Sequence, residues 1–435
     1  MWQSDLQGPY RTLGLETFMR LGVKHMENLV DPAGQTYFDV FMTRPAEAVH
    51  DWPDFVDLPS RYLEAAVMAR QMLGVKVATE DLLKGRFLST FETDELARRP
   101  ETSYSRAGMY IGEQALALRT LNTLFMDNHE TSIAERIEEL VDGLNDLVSK
   151  VDDYALHGSP GNLGICFAVR PLVQSWILLG YPPALDLGGR LVRGLMEHSN
   201  EFGAEGNYSG HNHIHLGALA GVLSYALTTN NSELVARAVK CFDFAMSIST
   251  NFGFVPELPG RMDDLIACET CAIMDYLDVA ILLARYGHPQ YWDVVEKVTR
   301  NHLLESQIKD GSWLSKIPYR EDTDRILYKD VGQKVIGAFA GWSSPNHLLA
   351  YEEEIGTSWN WCKDESQYPY YFGKIRALQN CCAGSGLRAI FQVWKNIAYF
   401  QGDDLYVNLH IDKRIPGLTM TGYQPYEGKI RLQIE

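Results

Sequence analysis

Apolar residues recur at helical spacing along most of the chain, in segments that come in pairs. In each pair a largely apolar segment is followed by a short polar or glycine-containing turn and then by a more amphipathic segment. This spacing puts apolar side chains on one face of a helix and predicts helical hairpins. The predicted helices are 58–74, then 107–128 with 132–150, 169–180 with 183–198, 215–229 with 232–249, 270–287 with 290–306, and a last one at 387–400.

The turns of these hairpins recur at a nearly constant spacing. They fall near Gly74, Asn128, Gly180, Asn230 and Gly287. The period is about 50 to 57 residues, and five hairpins with a last helix come close to six repeats. Six hairpins predict an (α/α)6 toroid whose inner helices line a central cleft, and an open solenoid is the alternative. Glycine-rich loops at 158–161 and 203–206 favour the toroid, because they fit the rim of a cleft.

The helical pattern stops before the end of the chain. The segment 311–379 is rich in aromatic and polar residues and has little periodicity, so we expect a long functional loop there. Alternating residues at 405–411 and 429–434 then predict β-strands. We therefore expect a mainly α chain, with a toroid domain at 1–400 and a few C-terminal strands at 401–435. The strands either pack on the toroid or begin a β-sandwich.

Charge narrows the kinds of partner. The net charge of -17 disfavours nucleic acid, an anionic membrane surface and a polyanionic substrate, because each would be repelled. A small neutral ligand is the simpler expectation. The nine Trp and 22 Tyr agree with a saccharide, since aromatic faces can stack on sugar rings, although such residues more often belong to the core. A homodimer is compatible with this composition.

Cysteine usage and the chain start predict a cytoplasmic protein. Seven cysteines are an odd number and few for 435 residues, which argues against a secreted disulfide framework. The first residues have neither a basic start nor an apolar stretch typical of a signal peptide. We also expect no membrane span, because no uninterrupted apolar run reaches about 18 residues.

Four of the cysteines lie in two distant segments that indicate a metal site. Ala267-Cys268-Glu269-Thr270-Cys271 lies in the middle of the chain, and Asn380-Cys381-Cys382 lies near the end. Thiolates gathered with a carboxylate are typical zinc ligands. Two ligand sets are open: Cys268, Cys271, Cys381 and Cys382 as a closed structural site, or Glu269 in place of Cys268. Spacing alone favours the four thiolates, because Cys268 and Cys271 would share a helix face, whereas Glu269 and Cys271 converge only at an irregular helix start.

Several motifs resemble glycoside hydrolase family 127, the β-L-arabinofuranosidases and their relatives. The residues that carry the resemblance are the Glu-Thr-Cys-Ala segment with its downstream helical hairpin, the Asn-Cys-Cys segment followed by a helix and by 404–409, and the segments 421–429 and 62–66. The resemblance spans most of the chain and is strongest from about residue 267 onward. The Glu-Thr-Cys and Cys-Cys combination is its specific part.

This resemblance implies a retaining glycosidase with zinc as cofactor. It makes Glu269, Cys271, Cys381 and Cys382 the zinc ligands and makes Cys381 the nucleophile that forms a thioglycosyl intermediate. Such a mechanism also needs a general acid/base. Glu257 is the best match to the family's glutamate, with Asp263 and Asp264 as substitutes.

A histidine-rich segment, 209–215, supplies candidate substrate contacts. His211 and His215 would share a helix face, but no acidic partner is placed in sequence to complete a metal site there. A position at the start of a helix facing the cleft fits better, so we expect His211 and His213 to hydrogen-bond sugar hydroxyls. His157, ahead of a glycine-rich loop, is a further candidate. Capping and core roles are the alternative for these histidines.

Departures from the family leave the substrate and the activity open. Ala383-Gly384-Ser385 stands where the family typically has Pro-Pro-Asn, and the aromatic-rich loop 342–371 has no recognised counterpart. The alternative to a glycosidase is a non-catalytic, carbohydrate-binding toroid with a structural zinc site. A polysaccharide lyase using Tyr208 and a histidine is a third possibility, which the acidic chain disfavours because lyases act on uronates.

Overall fold

The computed structural model describes residues 12–41, 46–91, 95–149, 163–259, 268–311, 320–343 and 378–434. The helices in these ranges are α1 (Leu15–Asn28), α2 (Asp57–Leu73), α3 (Glu80–Ser89), α4 (Ile111–Asn128), α5 (Thr131–Ser149), α6 (Leu163–Cys166), α7 (Val169–Leu179), α8 (Pro182–Arg193), α9 (Asn212–Thr228), α10 (Ser232–Ser247), α11 (Thr270–Arg285), α12 (Tyr291–Val298), α13 (Val331–Lys334) and α14 (Cys381–Ile397). Among them, none combines the length and apolarity that a membrane span requires.

Six inner helices form a closed ring. Helices α2, α4, α7, α9, α11 and α14 each pack against the next, and α14 packs against α2. An outer helix follows each of the first five and packs on it: α3, α5, α8, α10 and α12. The sixth outer helix is α1, which packs on α14 and α2 from the other end of the sequence. The predicted (α/α)6 toroid is therefore confirmed, and the open solenoid is wrong.

Burial separates the inner helices from the outer ones. Nearly all of α11 is buried, because it packs against neighbours on several sides. In α5 the buried residues are confined to one face, at Ile133, Ile137, Leu140, Val141, Leu144 and Val148. Left-handed glycines end α2 and α7, with φ of 68° at Gly74 and 66° at Gly180. Glycine adopts this conformation without a steric penalty, so the predicted helix stops fall where the chain turns outward.

Helix α14 begins at Cys381, six residues earlier than the predicted start at 387. Gly384 and Gly386 weaken the helical pattern in the sequence, but both are needed for packing. A Cβ at Gly384 would lie 2.8 Å from the Cβ of Arg61, and one at Gly386 would lie 2.6 Å from the ring of Phe339. The glycines therefore allow close contact rather than ending a helix, and both cysteines lie in the first turn of α14.

Short strands border the helices. They are β1 (Asp39–Phe41), β2 (Glu47–Val49), β3 (Cys268–Glu269), β4 (Ile326–Leu327), β5 (Gly341–Ser343), β6 (Leu378–Gln379), β7 (Ala398–Gln401), β8 (Asp404–Val407), β9 (Lys413–Ile415), β10 (Leu418–Gly422) and β11 (Ile430–Ile434). One antiparallel sheet has the order β4-β2-β1-β6, and β3 pairs with β5. Strand β3 leads directly into α11, and β6 leads through Asn380 into α14.

The C-terminal strands form two small antiparallel sheets. Strands β7 and β8 form a hairpin, and the second sheet has the order β11-β10-β9. The predicted strands at 405–411 and 429–434 correspond to β8 and β11. Leu418 and Met420 of β10 belong to the same buried apolar cluster as the inner helices. These strands therefore pack on the toroid, whereas the domain boundary between 400 and 401 stays a prediction.

Candidate active site

The two cysteine segments meet at the N-terminal ends of α11 and α14. One ligand atom each from Glu269, Cys271, Cys381 and Cys382 lies within 4.8 Å of the other three. Glu269 caps α11 in an extended conformation, with φ of -130° and ψ of 120°. This is the irregular helix start that lets side chains two positions apart converge. All four residues are buried, and Cys381 is 7% exposed.

These donors fit a zinc ion. Ligands about 2.3 Å from a tetrahedrally coordinated zinc are roughly 3.7 Å from each other. The Sγ atoms of Cys271 and Cys382 are 3.6 Å apart, which matches this geometry. Cysteine sulfur and glutamate oxygen are both atoms that zinc binds in proteins. If the site binds zinc, these four residues would hold it.

Cys268 does not belong to this group of ligand atoms. It lies in β3 beside Glu269 and is fully buried. Neighbouring residues of a strand point to opposite faces, so Cys268 and Glu269 cannot both reach the same ion easily. Spacing favoured Cys268 on the assumption that the helix already includes it, but α11 begins at Thr270.

Arg61 and Ser385 contact Cys271. An Nη1 of Arg61 is 3.7 Å from the Cys271 Sγ and donates to the Ser385 Oγ at 2.8 Å, and that hydroxyl lies 3.2 Å from the same sulfur. Burial alone would raise the pKa of Cys271, but hydrogen bonds with Cys381 and Cys382 and the charge of Arg61 lower this pKa well below its ordinary value. Asp57 accepts from the Arg61 Nε at 2.6 Å and so fixes the guanidinium. These contacts favour the thiolate at Cys271, whereas the hydrogen bond with Cys271 raises the pKa of Cys381 and burial raises that of Cys382, both well above the ordinary value.

Glu257 and His211 lie beside the cysteine group. The His211 Nε2 is 2.5 Å from Oε2 of Glu269 and 3.6 Å from Oε1 of Glu257. The backbone N–H of Asn212 donates to the Glu257 carbonyl at 2.8 Å, and the Asn212 side chain donates to the carbonyl of Pro256 at 2.8 Å. The start of α9 therefore holds the loop that carries Glu257 next to the metal-ligand group.

His213 also reaches the cleft. Its Nδ1 is 2.5 Å from a carboxylate oxygen of Asp275, and its ring lies 4.9 Å from that of Phe167. Burial lowers the pKa of His213, but the charges of Asp275, Cys271 and Glu269 outweigh burial and raise it to about 9. A protonated His213 is a hydrogen-bond donor, and its contact with a sugar stays a prediction.

His215 and Tyr208 pack behind the site. Their rings stack 4.7 Å apart, and the Tyr208 hydroxyl donates to Oδ1 of Asn212 at 2.5 Å. Burial raises the pKa of Tyr208 well above its ordinary value, so this phenol is a poor base for a lyase. His211 is the N-cap of α9 in an extended conformation, and its backbone carbonyl accepts a hydrogen bond from Nδ1 of His215 at 2.8 Å.

Some predicted positions lie outside the described residues. These are His157, Asp263, Asp264 and most of the aromatic-rich loop 342–371. Their roles stay predictions.

Three residues of the site were not predicted from the sequence: Arg61, Asp275 and Ser385. Arg61 and Asp275 are charged residues within largely apolar helices, but α2 also carries Glu64 and α11 also carries Asp278, so the sequence does not single them out. Ser385 lies where the chain departs from the family pattern. Asp57, four residues before Arg61 in α2, is a partner that the sequence places nearby, whereas the contacts of these three residues with Cys271, His213 and one another join different inner helices.

No protein-family profile matches the sequence, and no curated protein matches it either. Solved structures are similar in fold. An unsaturated glucuronyl hydrolase specific for heparin has a TM-score of 0.55 at 10% identity, over 88% of this chain and 97% of that one. A family 127 β-L-arabinofuranosidase from Geobacillus stearothermophilus T6 has a TM-score of 0.54 at 12% identity, over 98% of this chain and 72% of that one. Another family 127 β-arabinofuranosidase has a TM-score of 0.55 at 15% identity, over 98% of this chain and 69% of that one. The chain therefore has the fold of the (α/α)6 toroid proteins.

Proposed function

We propose that the protein is a retaining glycoside hydrolase, similar to the β-L-arabinofuranosidases, that acts on a small neutral glycoside with a zinc-bound cysteine as nucleophile. The observation that carries this proposal is the convergence of Glu269, Cys271, Cys381 and Cys382 within 4.8 Å, beside His211 and Glu257. The fold shared with family 127 arabinofuranosidases supports it. The expected location is the cytoplasm, and a homodimer remains compatible.

Cys381 is the proposed nucleophile. Of the three thiols in the group it is the most exposed, at 7%. Its sulfur attacks the anomeric carbon and forms a C–S bond while the glycosidic C–O bond breaks, and Glu257 gives its proton to the leaving oxygen. Water then attacks the same carbon, Glu257 takes the water's proton, and the C–S bond breaks. Two displacements retain the anomeric configuration.

The remaining residues would bind the zinc ion and the sugar. When bound, zinc would keep the coordinating thiols deprotonated at neutral pH. His211, which lies between the carboxylates of Glu257 and Glu269, and His213, which is paired with Asp275, would donate to sugar hydroxyls. A neutral substrate agrees with the net charge of -17.

A non-catalytic zinc site is the second candidate function. Its support is that all four ligand residues are buried and complete a four-coordinate set, as in structural zinc sites. Under this proposal the toroid binds saccharide without turning it over.

Cys381→Ser tests the proposal, with Cys268→Ser as a matched control from the same pair of segments. Turnover would be followed with 4-nitrophenyl β-L-arabinofuranoside and a panel of other neutral aryl glycosides, and zinc by metal analysis. We expect Cys381→Ser to abolish turnover with the fold retained, and Cys268→Ser to keep both zinc and activity. Unchanged turnover in Cys381→Ser contradicts the mechanism. Loss of zinc from Cys268→Ser favours the four-thiolate site, and a wild-type protein that binds zinc without any turnover favours the second candidate.

A further inference from the structure

Two partly exposed aromatic residues lie together at the cleft end of the toroid. Trp52 is 37% exposed and Tyr110 is 43% exposed, and their rings meet edge to face at 5.9 Å. The guanidinium of Arg99 lies 4.5 Å from the Trp52 ring centre and 5.8 Å from that of Tyr110. Glu113, which is buried, is 3.1 Å from the Arg99 Nε. The aromatic pair is thus held rigidly while much of its ring surface stays accessible.

Trp52 and Arg99 border an open cavity of about 790 Å³. The rest of its lining is the segment 101–106, which offers hydroxyl groups and one charge of each sign at Glu101 and Arg106. Arg99 is already paired with Glu113, so the lining has little net charge. Aromatic faces combined with hydroxyls and balanced charges suit a neutral, hydroxyl-rich ring.

The aromatic pair lies at the same end of the toroid as the metal-ligand group. Trp52 lies in the 3-10 turn just before α2, and Tyr110 is the N-cap of α4. These are the same ends of the inner helices that carry Cys271 and Cys381. Asp57, in the first turn of α2, binds Arg61 at 2.6 Å, and Arg61 contacts Cys271.

We infer that Trp52 and Tyr110 form a second sugar-binding subsite, which holds the leaving-group sugar of a disaccharide or longer substrate. The inference rests on the proposed function. Cys381 is nearly buried, so the sugar unit attacked there lies deep in the cleft and the leaving-group unit extends toward the rim. Trp52 and Tyr110 lie at the starts of α2 and α4, and α2 packs directly against α14, which carries Cys381 in its first turn.

The ratio of kcat/KM for two substrates tests the subsite. One is a β-1,2-linked L-arabinofuranose disaccharide, and the other is methyl β-L-arabinofuranoside, which has no leaving-group sugar. We expect Trp52→Ala and Tyr110→Ala to lower the disaccharide-to-methyl ratio about five- to tenfold, chiefly through KM for the disaccharide. Trp52→Phe should restore part of the ratio. Tyr286→Ala is the control, since Tyr286 is 57% exposed at the C-terminal end of α11 and should leave the ratio unchanged.

Failure of the subsite and failure of the proposed function give different results. Hydrolysis of both glycosides with an unaltered ratio in Trp52→Ala and Tyr110→Ala overturns the subsite alone. If the wild type hydrolyses neither glycoside, the proposed function fails, and calorimetric titration with the disaccharide then decides the subsite. Binding that weakens about five- to tenfold in Trp52→Ala supports it; equal binding, or no binding by the wild type, overturns it.

Discussion

The carboxylate of Glu257 is fully buried although the residue lies in a loop. One side-chain atom each of Glu257, His211 and Glu269 lies within 4.8 Å of the other two. A loop glutamate with solvent access would be ordinary surface, whereas the start of α9 holds this one near His211 and the metal-ligand residue Glu269. This surrounding is what distinguishes Glu257 as a candidate acid/base.

Glu257→Gln should lower kcat by about 10² to 10⁴-fold for glycosides with poor leaving groups, because the amide cannot protonate the leaving oxygen. Substrates with a 4-nitrophenol leaving group should lose less in the first step, since that oxygen needs little protonation. Steady-state rates across a series of leaving groups measure the difference. Asp263→Asn and Asp264→Asn are the controls. A larger loss in either of them than in Glu257→Gln would give the acid/base role to that aspartate instead.

The sequence predicts which residue types form the site, but it does not decide which of the adjacent residues Cys268 and Glu269 is the metal ligand. The two cysteine segments indicate a metal site, because cysteine sulfurs gathered with a carboxylate are ligands that zinc binds. Choosing Glu269 over Cys268 depends on where α11 begins, and the sequence pattern is compatible with either start. Arg61 and Ser385 act on Cys271 from helices α2 and α14, and contacts of this kind leave no local signal.

At the scale of elements, short strands fix the starts of α11 and α14. Strand β3 pairs with β5, and both the backbone N–H and the hydroxyl of Thr270 donate to the Ala340 carbonyl, at 3.1 and 2.7 Å. The backbone N–H of Asn380 donates to the carbonyl of Phe38 at 2.8 Å. These bonds hold the first turns of two inner helices in register, so the ligands are positioned by backbone contacts as well as by side chains.

Gly341→Ala should disrupt the metal-ligand group through strand β5. A Cβ at Gly341 would lie 2.7 Å from the Sγ and 3.2 Å from the Cβ of Cys382. We expect a loss of about 1–3 kcal/mol in the free energy of unfolding and weaker zinc binding in competition with a chelator. Gly85→Ala is the control, because a Cβ there meets nothing within 4 Å and alanine favours helix α3 by about 1 kcal/mol. Wild-type zinc affinity in Gly341→Ala would show that β5 does not position Cys382.

Helix prediction succeeds where both helices of a hairpin are adjacent in sequence. The hairpins from α4 to α12 have that property, and periodicity with turn residues predicts them. Helix α1 was missed because its partner α14 lies at the other end of the chain, so no hairpin pattern surrounds it. Helix α3 was missed because only Glu80, Leu83 and Phe87 of its ten residues are buried, which leaves a weak apolar stripe.

At the scale of the whole molecule, buried ion pairs cross the toroid behind the site. Arg388 pairs with both Glu64 and Asp278, Arg119 lies 2.9 Å from Glu64, and Arg170 pairs with Asp278. These charges come from five inner helices. Breaking a buried pair is costly, so the layer opposes any relative movement of the helices. The layer of ion pairs also separates the candidate site from a cavity of about 320 Å³ at the C-terminal ends of the inner helices. Substrate would therefore enter from the opposite end of the toroid, where Trp52 and Tyr110 lie.

The buried imidazole of His302 makes the free energy of unfolding depend on pH. Its Nδ1 accepts from the backbone N–H of Val255 at 3.1 Å, and burial lowers the pKa of His302 to about 3. In the unfolded chain the same imidazole has a pKa of about 6.5. Between these two values the unfolded state binds more protons than the native state, so the free energy of unfolding falls as the pH falls from about 6.5 toward 3.

His302→Asn should flatten this acid sensitivity, because an amide oxygen can accept from Val255 without titrating. Urea unfolding at several pH values between about 6 and 5 measures the slope, to which one such histidine contributes up to about 1.4 kcal/mol per pH unit. The variant should lose most of that contribution, even if the smaller side chain lowers its stability at every pH. His129→Asn, at an exposed position with a left-handed φ of 54°, is the matched control and should keep the wild-type slope. Parallel pH profiles for the wild type and His302→Asn would mean that His302 does not control acid unfolding, and that other buried groups set the pH range in which the toroid keeps Glu257 in place.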